Sequence, residues 1–252
     1  MHKILKDIIK YTHGLGEFDA FKVMVKHDGR AMVKSSSKGM DVMLSAKLKD
    51  NVPVFTVKDQ DENFTNSVGF LNLDILSGYL NSPFFGGDNA KISVEHRSDG
   101  EVRDLIFTSP EGHRCSYRTL DSRIAQQRIK SFTAVGSFDP TFQFVPSDEF
   151  LKDFRQIAGI LGKFTENFYF STENGMLMLN IDGEDNSAKI PVTECDVEVS
   201  PQNLYPIKQV LAIMRQAPDM ESVNFTITDE NSTLVLDVDT DVAVYNYVLN
   251  AN

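Results

Sequence analysis

The segments NFYFST, MLMLNI and STLVLDVD place apolar side chains at every second position, the period of a strand with one face buried. Elsewhere the period lengthens. In MHKILKDIIK, a helix advancing about 100° per residue sets Ile4, Leu5, Ile8 and Ile9 together, opposite Lys3, Lys6 and Lys10. SDEFLKDFRQIAGILGKF gathers Phe150, Phe154, Ile157 and Leu161 on one side, and NLYPIKQVLAIMRQ gathers Ile207, Val210, Leu211 and Met214. Ser147 is a good helix cap, and Asp148 and Glu149 follow it where acids favour the positive helix end. Pro206 is expected early in the last helix, where a missing N–H is tolerated.

These periods alternate in one grammar used four times: a short helix, then strands joined by tight turns. The units begin with HKILKDIIKYT, LDILSGYLN, SDEFLKDFRQIAGILGKF and NLYPIKQVLAIMRQ. Asp28-Gly29, Asp99-Gly100 and Asn174-Gly175 are strong hairpin signals, because these residues accept the positive φ of a tight turn. Second turns follow at Gly39, Gly112, Gly183 and Thr240. The pattern predicts an α+β fold of two similar domains, each made of two helix-plus-antiparallel-strand units. Residues 1–120 form the first domain and 141–252 the second, and the differently composed stretch 121–140 links them.

Charge changes the picture. The 252-residue chain carries a net charge of −11, which ordinarily argues against a nucleic-acid partner. The charge is unevenly spread, however. From Glu166 onward there are 15 acids and three bases, Lys189, Lys208 and Arg215. Two of those three fall on the outer side of the fourth helix. The stripe that begins with Lys3, Lys6 and Lys10 recurs as Lys152, Arg155 and Lys163, then as Lys208 and Arg215. Helix two departs from it, with only Asp74, Ser77, Gly78 and Asn81 on its polar side. A single cationic helix face is ordinarily just solvated. Three of four, in an acidic chain, predict a surface that meets phosphate. Without interleaved aromatics it is a poor platform for single-stranded bases, and helix-borne lysines and arginines give no sequence readout. The eight cations are therefore expected to contact duplex DNA loosely and independently of its sequence.

Other chemistry is not legible. Cys115 and Cys195 are isolated and read as reduced thiols, and the five histidines show no metal-ligand spacing. His27 and His96 flank hairpin turns. No P-loop, dinucleotide fingerprint or nucleophile elbow occurs. The acidic stretches TECDVEVS and DVDTDV read as a solvated sheet face. No catalytic residue, metal or cofactor is expected, and the chain is read as a non-enzyme. There is no apolar run of membrane-spanning length and no secretory leader pattern, so no membrane partner and an intracellular location are expected.

With this layout the sequence resembles the DNA sliding clamps, the processivity factors of DNA polymerases. The likeness spans nearly the whole chain through diffuse motifs. It is closest to clamps of large tailed bacteriophages in LNLDILSGYLNSP, NAKISVEHRSDGEVRDLIF and PSDEFLKDFRQIAGILGKFTENFYFSTENGMLMLNI. The resemblance implies a DNA clamp fold and a homotrimer, because six domains close the ring in that family. It implies head-to-tail contacts in which strand 113–120 pairs with strand 186–192 of a neighbour, with Cys115, Tyr117, Lys189 and Ile190 at the contact. It also implies a tethered DNA polymerase, an ATP-driven clamp loader, and a partner pocket near the linker formed by Ile124, Phe132, Val135 and Phe138. If the chain is viral, the cytoplasm of a bacterial host is its setting. The alternative reading is a ring-forming structural protein of a virus particle, which has no reason to align Lys208 with Arg215.

Overall fold

The tight turns form where the dipeptides demand them. Gly29 and Gly100 each hold a φ of 84°, and Asn174 and Gly175 hold 51° and 77°. The exception is Asp182-Gly183, where Gly183 keeps a negative φ and its N–H donates to Asn186 across a longer turn. A computed structural model describes residues 1–26, 28–55, 66–87, 89–129, 140–228 and 232–251. It divides into two compact units, Met1–Phe132 with Asp241–Val244, and Thr133–Thr240 with Tyr245–Asn252.

The first unit runs α1 (His2–Tyr11), β1 (Ala20–Val25), β2 (Ala31–Ser36), β3 (Val42–Leu48), β4 (Asn66–Leu71), α2 (Leu73–Asn81), β5 (Lys91–His96), β6 (Val102–Thr108), β7 (Arg114–Arg118) and α3 (Ser122–Arg128). Strands lie in the orders β4-β1-β2-β3 and β5-β6-β7, with every pairing antiparallel. The apolar side of α1 is buried as its period predicts, through Ile4, Leu5, Ile8 and Ile9, and α1 packs against α2. Phe21 and Phe70 stack on neighbouring strands with ring centroids 4.6 Å apart, and Phe55 meets Phe70 edge-on. Such pairs contribute roughly 0.5–1.5 kcal/mol beyond their buried area.

The second unit runs β8 (Phe142–Phe144), α4 (Asp148–Leu161), β9 (Asn167–Glu173), β10 (Met176–Asp182), β11 (Ser187–Glu194), β12 (Tyr205–Pro206), α5 (Ile207–Gln216), β13 (Val223–Thr228), β14 (Thr233–Asp239) and β15 (Ala243–Asn250), whose first two residues belong to the first unit. Its strand orders are β11-β10-β9-β12 and β15-β14-β13-β8. Ser147 caps α4 by accepting from the Phe150 N–H at 3.1 Å. Pro206 stands one residue before α5 instead of inside it, since its extended backbone pairs with β9. Phe154, Phe168 and Phe170 form an edge-to-face cluster that anchors α4 to the sheet. The helices and antiparallel sheets give the α+β architecture that the periodicities predict.

Four elements escape the sequence pattern: β4, α3, β8 and β12. The last two are three and two residues long, too short for a period to register. Strand β4 is interrupted by Gly69, which turns out to be a packing device. Its N–H and C=O both bond to Leu120, and α3 sits against it. A Cβ there would lie 2.8 Å from that of Ala125 and 3.0 Å from that of Leu120. Asp121 caps α3 by accepting from the Ile124 N–H at 2.8 Å. Gly69→Ala is therefore expected to lower stability by about 1–3 kcal/mol through overpacking. Urea titration of the variant checks this, and a Gly69→Ala/Ala125→Gly pair should recover part of the loss.

Candidate nucleic-acid interface

On α1, Lys3 and Lys10 are exposed and Lys6 is half-buried. All three are lightly engaged. The Lys3 ammonium lies 3.6 Å from a carboxylate oxygen of the exposed Asp241. Lys6 donates to the Gly86 carbonyl at 3.3 Å, and Lys10 donates to the Tyr11 hydroxyl at 3.2 Å while sitting 4.7 Å from that ring's centre. With His2, Asp7, Gly86 and Gly87 these lysines line a shallow cleft of about 450 Å³. Burial, with Lys6 beside it, holds the His2 imidazole below its ordinary range, so at neutral pH it adds no charge. Helix α2 contributes no cation, and its exposed Asp74 meets His13 at 3.0 Å.

In the second unit Lys152 and Arg155 stand on the exposed side of α4, and Lys163 lies just past its end at Leu161. Lys208 and Arg215 are exposed on α5, which packs against α4. Among the described residues, no carboxylate pairs with Lys152, Arg155, Lys163 or Arg215. Unpaired cations on a helix surface keep their full field for a ligand. In the second unit two of the stripes read from the sequence thus lie on helices that pack together, while the first unit carries its stripe on α1 alone.

Two exposed apolar residues interrupt this picture. Ile160 is 63% exposed at the C-terminal end of α4, the helix that packs against β11, and Phe164, three residues past that end, is 67% exposed. The helical wheel held the signal, since Ile160 falls well outside the arc of Phe150, Phe154, Ile157 and Leu161. In the first unit Phe84 is 54% exposed, its ring 5.1 Å from that of His113 at the start of β7.

Strands β7 and β11 each end a sheet. Of the residues expected at a subunit contact, Cys115 is half-buried and Lys189 is exposed and paired with Glu173. Tyr117 and Ile190 are buried within their own units. The Tyr117 hydroxyl donates to the Leu71 carbonyl, and burial pushes its pKa up. The outward side chains of β7 include Arg114 and Arg118, which pair with Glu95 at 2.6 Å and Asp104 at 2.7 Å.

Of the expected partner pocket, Phe132, Val135 and Phe138 lie outside the described residues, and Ile124 is half-buried on α3. Close to the end of α3, Asp19, Ser36, Lys38, Met40, Arg128 and Ile129 line a cavity of about 260 Å³, and Met40 is partly exposed there. His27 also lies outside the described residues. Among the described residues no group of three or more His, Cys, Asp or Glu is placed to hold a metal. No helix among them is long and apolar enough to cross a membrane.

No family model matches the sequence, and no curated protein matches it either. Solved structures do. PCNA from Thermococcus kodakaraensis superposes with a TM-score of 0.66 at 13% identity, covering 100% of this chain and 97% of that one. Proliferating cellular nuclear antigen from Entamoeba histolytica gives 0.68 at 10% identity, covering 100% and 96%. The A. fulgidus PCNA, solved with the C-terminal region of FEN-1 bound, gives 0.67 at 11%, covering 100% and 96%. At these identities the likeness is one of fold, and it extends over both units.

Proposed function

We propose that this chain is a sliding clamp that closes as a homotrimer around duplex DNA and tethers a replicative DNA polymerase. The observation that carries the reading is the full-length match to clamp folds, which leaves neither unit unaccounted for. The cationic stripes on α1, α4 and α5 support it, because the rest of the chain is acidic and would repel the phosphate backbone. In the ring these helices line the hole, and the duplex slides past ammonium and guanidinium groups without base readout. The work is topological, so no catalytic group is required of the chain. An ATP-driven loader opens the ring, and the resemblance to clamps of tailed bacteriophages makes a viral replisome in a bacterial cytoplasm its setting.

Ring closure would join β7 of one copy to β11 of the next, head to tail. Strand pairing uses backbone groups, so the burial of Tyr117 and Ile190 does not hinder it, while Cys115 and Lys189 flank the join. Ile160 and Phe164 at and just past the end of α4, and Phe84 beside β7, would be covered by the same contact. Partner tails would dock near residues 121–140, against Ile124, Phe132, Val135 and Phe138. The FEN-1 segment bound to the A. fulgidus PCNA is the nearest support for a peptide partner.

Light scattering on a sizing column, over a dilution series, tests the assembly. A mass near three times the 28.3 kDa chain is expected. A dimer, or a monomer at every concentration, would count against the ring.

A further inference from the structure

The β1–β2 hairpin carries a feature that a DNA-encircling role does not use. Its tip is tied to the chain following β3. The Val52 N–H donates to the Gly29 carbonyl at 2.7 Å, and the Asn51 side chain donates to the Asp28 carbonyl at 3.2 Å. Gly29 is needed there, because its φ is positive and a Cβ would press on Asn51 and Pro53 at 3.3 Å. The Lys49 N–H donates to the Val242 carbonyl at 2.8 Å, which holds the far wall. These bonds frame a preformed groove of about 680 Å³ in the first unit. Ala31, Met32, Leu48 and Val244 supply its apolar surface, with Val244 37% exposed. Lys26, Arg30, Lys47 and Lys49 supply four cations, and no acidic residue lines it. Asp28, at the hairpin tip, binds the Arg30 guanidinium at 2.6 Å.

We propose that this groove binds an acidic peptide segment with an apolar anchor, supplied by a protein partner. An apolar floor ringed by cations matches carboxylates flanking a leucine-like side chain. A duplex backbone has charge for the rim but nothing apolar for the floor. In a chain of net charge −11, an acidic segment is repelled over most of the surface, so the groove also focuses its approach. The site requires neither the ring nor DNA, and it is separate from the helices assigned to DNA above.

The test is fluorescence anisotropy on the full chain with a labelled peptide of four Asp/Glu residues flanking one Leu. Binding that weakens steeply with salt is expected. The exposed pair Lys47→Glu/Lys49→Glu should weaken it by tenfold or more, with circular dichroism reporting the fold, and replacing the peptide's Leu by Ser should weaken it on the unaltered chain. Should the double variant fail to fold, Lys47→Ala and the Leu-to-Ser peptide decide. Unchanged binding by the charge variants, or indifference to the Leu, overturns the proposal. So does displacement of the peptide by a short duplex, which would mark the groove as a nucleic-acid surface. Alanine variants of Lys152, Arg155 and Arg215 should bind the peptide normally, so failure here and failure of the clamp reading give different results.

Discussion

Replacing Lys3, Lys6, Lys152, Arg155, Lys208 and Arg215 by alanine is expected to leave fold and assembly intact and to remove most of the stimulation of DNA synthesis. The structural cost is small. Five of the six side chains are exposed, and surface substitutions of this kind ordinarily shift stability by about 0.5 kcal/mol or less. The Lys3–Asp241 pair joins two well-exposed groups and contributes little. Lys6 is the exception, because it is half-buried and bonds Gly86, so a variant that retains Lys6 is the control. The functional cost is large because phosphate attraction is cumulative. Each lost phosphate contact lowers the slope of log affinity against log salt by about 0.9. Removing Lys152, Arg155 and Arg215, which no carboxylate neutralises among the described residues, should cut most deeply. Primer extension with loader and polymerase across a salt series is the measurement. Full stimulation by the folded variant would sink the assignment of these helices to DNA.

An equally large effect is expected from Phe164→Asp combined with Ile160→Ser. Both side chains stand mostly in solvent at and just past the end of α4, the helix that packs against β11, where the proposed neighbour would cover them. Burying a large apolar side chain contributes about 1.5–3 kcal/mol, so losing two weakens association by roughly 10²–10⁴-fold. A carboxylate forced into the contact adds a desolvation penalty. Neither residue belongs to the core of its own unit, so each chain should stay folded by circular dichroism. Its mass, at concentrations where the proposed ring of the unaltered protein forms, should fall toward 28.3 kDa. An unchanged mass would remove the end of α4 from the subunit contact.

Both experiments probe surfaces, and surfaces are where sequence and structure part company. Periodicity identified α1, α4 and α5, because an amphipathic helix must repeat its apolar residues at the pitch of its own backbone. The turn dipeptides identified the hairpins, since few residue pairs accept the φ values of Asn174-Gly175. The cationic stripes follow from the same geometry, as a residue's face on a helix is fixed by its number. These are local rules, and the sequence by itself determined them.

Only the tertiary structure decided what lies between distant segments. Gly69 reads as a flaw in a strand until α3 is seen resting on it, and the pair Gly69–Ala125 is separated by more than fifty residues. Tyr117 and Ile190 stand on strands expected at a subunit contact, yet their side chains fill the cores of their own units. A strand's alternation shows that two faces differ, but which face is inward depends on the partner sheet and helix. The basic groove has the same origin. Lys26 and Lys49 have no relation in sequence, and they share a rim because two backbone turns are bonded together at Gly29, Asn51 and Val52. Local order follows from the backbone's few allowed angles, whereas juxtaposition follows from packing, which no single segment encodes.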